Sequence, residues 1–350
     1  MRNLLLVIAA CVLMACEGPA QSPSADAPAP TGVADLSLYD GRTLTYIVAT
    51  GPGGNYDAYA RLIAGYMQKH LPGSRVLVKN VPGAGHIVGA NTLYAARPDG
   101  LTIGTFNTGL IYTQLLEREG ASFDLARFEW IGSAAHDVRV IVLATASPYK
   151  SFAELKNSGD LIRVAAAGVG SAAYNDTRIV AEALHLNLEI IPGFEGNEGE
   201  LSMLRGEVNA LLGAAGAFAN FVNNGSGFYA LAVSGEASST GEDSDLAGVP
   251  LARDFVTDER GGQLLGLIEA LSDLGRLTAA PPETDPNMLA TLREAYRLAL
   301  TDPDLLRDAQ NTLLPIQPAY GDDVKALVIQ ALDLNPESLE LLREATAVPN

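Results

Sequence analysis

Residues 44–107 read LTYIVATGPGGNYDAYARLIAGYMQKHLPGSRVLVKNVPGAGHIVGANTLYAARPDGLTIGTFN. Apolar, β-rich runs at 44–50, 76–80 and 101–106 alternate with the helical patterns YDAYARLIAGYMQKH (56–70) and HIVGANTLYAA (86–96). A helix that carries the chain back between strands makes those strands parallel, so the alternation predicts a mostly parallel sheet covered by helices. FEWIGSA (128–134) supplies a fourth strand, and RVIVLAT (139–145) is followed by SPYKSFAELK, whose Ser-Pro start marks a helix or turn.

A second alternating set begins at LIRVAAA (161–167) and continues through YNDTRIVAEALHL (174–186), LEIIP (188–192), NEGELSMLRG (197–206), VNALLGA (208–214), AFANFVNN (217–224) and FYALAVS (228–234). It predicts a second βα lobe. The acidic, Gly- and Ser-rich segment 235–248 reads as a surface excursion. Three or four helices then follow, including those at 286–302, 302–310 and 322–332, with one short strand at RLTAA (276–280). The expected organisation is α/β and two-lobed, with residues 41–143 plus 253–350 in lobe I and 144–252 in lobe II. The chain crosses out of the first lobe and back, and the two crossings form a hinge.

The N-terminus reads MRNLLLVIAACVLMAC, with one cation at Arg2 and an apolar stretch too short to span a bilayer, as in a secretory signal. Leu13-Met14-Ala15 before Cys16 resembles a bacterial lipobox, and so predicts cleavage and lipidation at Cys16; Ile8-Ala9-Ala10 before Cys11 fits the pattern with a shorter apolar region. Residues 17–40, rich in Pro, Ala, Ser and Gly, form no core. A flexible tether of about 24 residues reaches roughly 25–30 Å, enough to hold a globular body off a membrane.

The chain carries 41 acidic and 23 basic side chains, a net charge of −18, which argues against a nucleic-acid partner. An anionic ligand has to be attracted locally, against the global field. With 48% hydrophobic residues the chain has enough apolar content for two core-bearing lobes, and its only two cysteines lie in the leader, so the body's stability rests on packing.

Two glycine-rich turns stand at corresponding places in the two lobes, ATGPGGNYDAYAR (49–61) and AAGVGSAAYNDTR (166–178). Each joins a strand to a helix, where glycine allows close backbone approach and the helix begins with unpaired N–H groups and a partial positive charge. Ligands of open α/β sheets gather outside the carboxyl ends of the strands, where these turns lie. A third cluster, VPGAGHIVGA (81–90), has GxGxxxG spacing in place of the dinucleotide-binding GxGxxG and reads as a tight turn that lets a helix lie close to the sheet.

Pro52-Gly53-Gly54 with Asp57 and Arg61, Asn80 to Gly85, and Pro98-Asp99-Gly100 together resemble the N-terminal signature of substrate-binding proteins of tripartite tricarboxylate transporters. The resemblance continues through GVGSAAYN, IPGFEG and LRGEVNALLG. It implies a type II periplasmic-binding-protein fold, two lobes closing on a small carboxylate held largely by backbone N–H groups and water, no cofactor or metal, and delivery to integral-membrane transporter subunits. The protein is then expected to be a monomer, periplasmic or at the cell surface, and lipid-anchored. The ligand positions that it implies are Gly53, Gly54, Asn55 and Asp57 in the first turn and Gly168, Gly170 and Ser171 in the second. Tyr174-Asn175 and the turn Pro192-Gly193-Phe194-Glu195-Gly196 depart from the family pattern, so the ligand-facing wall is expected to differ.

Five further positions join these as ligand candidates: Tyr56 as a cover, Asn107 and Thr108 at the end of the third strand, His136 after the fourth, and Tyr174 after the second glycine turn. Asp57 has two readings, one as a ligand or water contact and one as an acid complementing a helix dipole. An enzyme is the rival class, but His70, His86, His136 and His185 lack metal-ligand spacing and Gly168-Val169-Gly170-Ser171 is not a nucleophile elbow. A sensor lobe feeding a membrane kinase would use the same trap as a transport receptor.

Overall fold

The computed structural model describes residues 32–136, 138–234 and 246–347. The leader, Cys11, Cys16 and most of the expected tether lie outside the described residues. The tether was expected to run to residue 40, but the body begins earlier. Leu36–Tyr39 form a 3-10 turn capped by Asp35, and the fully buried Tyr39 donates its hydroxyl to the carbonyl of Gly100 at 2.7 Å. A ring with a 2.7 Å internal bond is part of a core.

In chain order the first elements are β1 (Thr43–Val48), α1 (Asn55–His70), β2 (Arg75–Asn80), α2 (Ile87–Tyr94), β3 (Thr102–Phe106), α3 (Gly109–Leu115) and β4 (Glu129–Ala135). There follow β5 (Arg139–Ala144), α4 (Phe152–Asn157), β6 (Ile162–Ala166), α5 (Ala172–Ala183), β7 (Leu188–Pro192), α6 (Glu198–Leu204), β8 (Ala210–Ala214), α7 (Ala215–Asn223) and β9 (Gly227–Ala232). The last are α8 (Glu259–Glu269), β10 (Gly275–Ala280), α9 (Pro286–Leu300), α10 (Pro303–Asn311), β11 (Ala319–Tyr320), α11 (Gly321–Leu332) and α12 (Pro336–Thr346). A six-stranded sheet has the order β11-β4-β10-β3-β1-β2, and a five-stranded sheet the order β7-β6-β8-β5-β9. The triples β2-β1-β3 and β7-β6-β8 are parallel, while β10 and β5 run against their neighbours, so each sheet is mixed.

Both sheets are covered on both faces, which is why their strands read as near-continuous apolar runs. Successive side chains of a strand point to opposite faces. Leu44, Tyr46 and Val48 accordingly join one core cluster and Ile47 another; likewise Val140 and Val142 pack apart from Ile141 and Leu143.

The expected lobe boundary needs correction. Strand 139–143 was counted with lobe I, but β5 pairs with β8 and β9 and belongs to the five-stranded sheet. The first crossing therefore lies between Ala135 and Arg139. Residues 253–350 are divided as well, since α8 and α12 pack against α5 of the second lobe while β10 and β11 complete the first sheet. Pairing partners distant in the chain, not adjacency, decide membership.

Candidate functional site

The turn between β1 and α1 is built for close approach. Gly53 adopts φ +83, where a side chain would be strained, and Gly54 caps α1 with φ −85 and ψ 174. Asp57, in the first turn of α1, is held by hydrogen bonds within its own lobe. Its carboxylate accepts from the Gly53 N–H at 2.9 Å, from Arg61 Nε at 2.9 Å and from Asn80 Nδ2 at 2.9 Å. Burial pushes the Asp57 carboxyl up, but these hydrogen bonds and the Arg61 charge outweigh it and hold the group below the ordinary carboxylate range. Asp57 thus pins the turn to the helix and to β2.

In the second turn Ser171 caps α5 by accepting from the Tyr174 N–H at 3.3 Å, and Gly170 has φ +93. This turn lies against the third glycine cluster. A Cβ on Gly85 would stand 2.6 Å from the Val169 carbonyl oxygen, and one on Gly168 would stand 3.3 Å from the Gly85 nitrogen. The cluster read as a helix-packing turn thus also seats the other lobe's turn.

Between the two turns lies a cleft of about 770 Å³, a size suited to a small-molecule ligand. Of the expected positions, Gly53, Gly54, Asn55, Tyr56, Asn107 and Ser171 line it. Asp57, Thr108, His136, Gly168, Gly170 and Tyr174 do not. Thr108 is buried just before α3 and Tyr174 within α5, while half-exposed His136 lies 3.1 Å from Asp273. The lobes meet over the cleft: the Gly51 N–H donates to Glu195 Oε2 at 3.2 Å, and Asn55 Nδ2 donates to the Gly216 carbonyl at 3.1 Å.

The lining residues that were not foreseen include Arg139, Arg276, His86 and Glu200. Arg139 is 6% exposed, and its Nη2 lies 2.6 Å from Asp176 Oδ2. Arg276 is 3% exposed, stacks 4.9 Å over the Tyr56 ring and 5.0 Å over Tyr59, and donates to Asn55 Oδ1 at 2.6 Å. The signal available in sequence was an arginine opening an otherwise apolar strand, RVIVLAT and RLTAA. Such a cation is buried only if something at the strand end meets it.

Glu200, in the first turn of α6, is partly buried, and burial raises its carboxyl pKa to about 7. A carboxyl whose folded pKa lies above its unfolded value of 4.5 leaves stability intact below pH 4.5 and weakens it progressively as pH rises toward 7. Glu200→Gln should therefore match the unsubstituted protein in urea unfolding at pH 4 and exceed it at pH 8 by ~1 kcal/mol, a value discounted for solvent screening. Equal stability at both pH values would remove this assignment.

Residues 59–327 match the family model described as the tripartite tricarboxylate transporter family receptor. The chain belongs to that family. A UPF0065 protein of Bordetella pertussis is 30% identical over 182 residues, covering 50% of this chain and 55% of that protein. One of Pseudomonas sp. is 27% identical over 183 residues, covering 51% and 54%. The chain thus spans about half the length of the curated relatives that it matches. Among solved structures, the periplasmic binding protein BugD superposes with a TM-score of 0.69 at 22% identity, covering 88% of this chain and 98% of that one. MatC from Rhodopseudomonas palustris with bound malate gives 0.68 at 21%, covering 86% and 99%, and an R. palustris protein with adipate gives 0.69 at 16%, covering 87% and 97%. At these identities the likeness shows the fold, which is the two-lobed α/β fold of periplasmic binding proteins.

Proposed function

We propose that this receptor-family protein captures a small organic carboxylate between its lobes outside the cytoplasm and delivers it to a tripartite membrane transporter, tethered by a lipid on Cys16. The observation that carries the reading is a cleft into which both lobes contribute a strand-to-helix turn and a buried arginine, Arg276 beside the first turn and Arg139 from the second lobe. Backbone donors at helix starts and guanidinium groups both favour a carboxylate. The malate and adipate of the two R. palustris structures belong to the same chemical class. Exposed charges beyond the Debye length of about 8 Å are screened, so a net charge of −18 does not forbid an anion at such a site.

A thermal-shift screen over mono-, di- and tricarboxylates, aromatic acids and amino acids tests this. An acid present at a hundred times its dissociation constant adds about 2.7 kcal/mol and a readily visible melting shift. No shift with any acid of the panel, or net conversion of the stabilising acid on long incubation, overturns the proposal. For the anchor, metabolic fatty-acid labelling should vanish in Cys16→Ser and persist in Cys11→Ser; labelling that survives in Cys16→Ser excludes Cys16.

A further inference from the structure

Seven described residues other than glycine have positive φ, and only His86 (φ +81) and Arg276 (φ +55) among them are buried. Both line the cleft. A side chain held in left-handed backbone opposes folding by about 1 kcal/mol or more, and such strain collects at functional sites. The two are also neighbours through the sheet. Leu277 pairs antiparallel with Phe106, so the next step along each strand sets Arg276 beside Asn107, and Asn107 is the residue that holds His86.

The hydrogen bonds around Asn107 dictate where the His86 proton sits. Asn107 Oδ1 accepts from the Gly109 N–H at 2.9 Å, which orients the amide. Its Nδ2 therefore faces His86 Nδ1, at 2.5 Å. Nδ2 is a donor, so Nδ1 must offer its lone pair, and the single proton of a neutral imidazole is left on Nε2. The ring is 4% exposed, and Nε2 has no hydrogen-bond partner among the described residues. Burial depresses the His86 pKa to about 4, so the ring stays neutral at physiological pH.

We infer that His86 is a ligand-binding residue that donates its Nε2–H to a carboxylate oxygen in the cleft, as a neutral donor in one fixed tautomer. The inference rests on the carboxylate-capture reading above. The Arg276 guanidinium supplies charge, while His86 adds direction without a further cation. A glycine at 86 would relieve the left-handed strain at that position.

Nitrogen NMR on histidine-labelled protein is expected to show His86 as the Nε2–H tautomer, without titration between pH 5.5 and 8. An Nδ1–H tautomer or an imidazolium in that range overturns the inference. His86→Gly removes the ring while relieving the left-handed strain, which offsets part of the lost packing, so the variant should still fold and yet bind the panel acid with the largest thermal shift at least tenfold more weakly. His86→Asn, which tolerates the same backbone and keeps an N–H donor, should fall between the two. If His86→Gly binds that acid as tightly as the unsubstituted protein, this inference alone fails. If the unsubstituted protein binds none of malate, adipate and the rest of the panel, the capture reading fails and takes this one with it.

Discussion

Asp176→Ala should lower the unfolding free energy by about 3–5 kcal/mol, because it removes one partner of a buried ion pair and leaves the other in the interior. The Arg139 and Asp176 side chains are 8% and 3% exposed, and their charged atoms lie 2.6 Å apart. Tyr112 donates to Asp176 Oδ1 at 2.9 Å, and burial together with the Asp176 charge keeps that phenol protonated far above its ordinary range. The carboxylate thus ties β5, α5 and α3 together where the chain enters the second lobe. Urea unfolding at pH 7 measures the loss. Asp176→Leu combined with Arg139→Met should recover part of it, since two apolar side chains leave no buried charge. A loss below ~1 kcal/mol in the single variant would show that the pair is too well solvated to behave as buried.

The second large effect is on binding. Gly54→Val should weaken capture of the stabilising acid at least tenfold with little change in melting. Gly54 adopts φ −85, which any residue accepts, so the backbone is not strained. Its Cβ, however, would lie 3.1 Å from Gly196 Cα, and Gly196 itself has φ +59 and stands close to the Pro52 carbonyl. The Gly196 atoms are main chain of the opposite lobe and have no rotamer into which to retreat. The two valine methyl groups beyond that Cβ would wedge the lobes apart at the cleft rim. Gly170→Val is a less clean probe, because φ +93 makes any side chain there destabilising whatever happens to the ligand. Calorimetry on Gly54→Val and Arg276→Met separates two mechanisms. Normal binding by the glycine variant with abolished binding by the arginine variant would mean that a side-chain clamp, rather than backbone shape, holds the anion.

The amino-acid sequence by itself determined which segments become strands and helices. Apolar runs of five to seven residues separated by helical periodicity and glycine turns specify β1, α1, β2, α2 and β3 locally. The same local chemistry placed Gly53, Gly54, Asn55 and Ser171 at strand-to-helix turns, because a helix start and a positive φ are properties of a few consecutive residues. The tertiary structure alone decided which sheet owns β5, where Arg139 pairs with Ala214 and lies near Asp176, and that Arg276 falls alongside Asn107. These depend on strand registers joining positions tens to hundreds of residues apart, and no local period encodes them. Asp57 shows the same limit from the other side. Its sequence position suited either a ligand contact or an acid complementing the helix dipole, and nothing in that position showed that Asn80 from β2 and Arg61 from the next turn of α1 would approach both carboxylate oxygens.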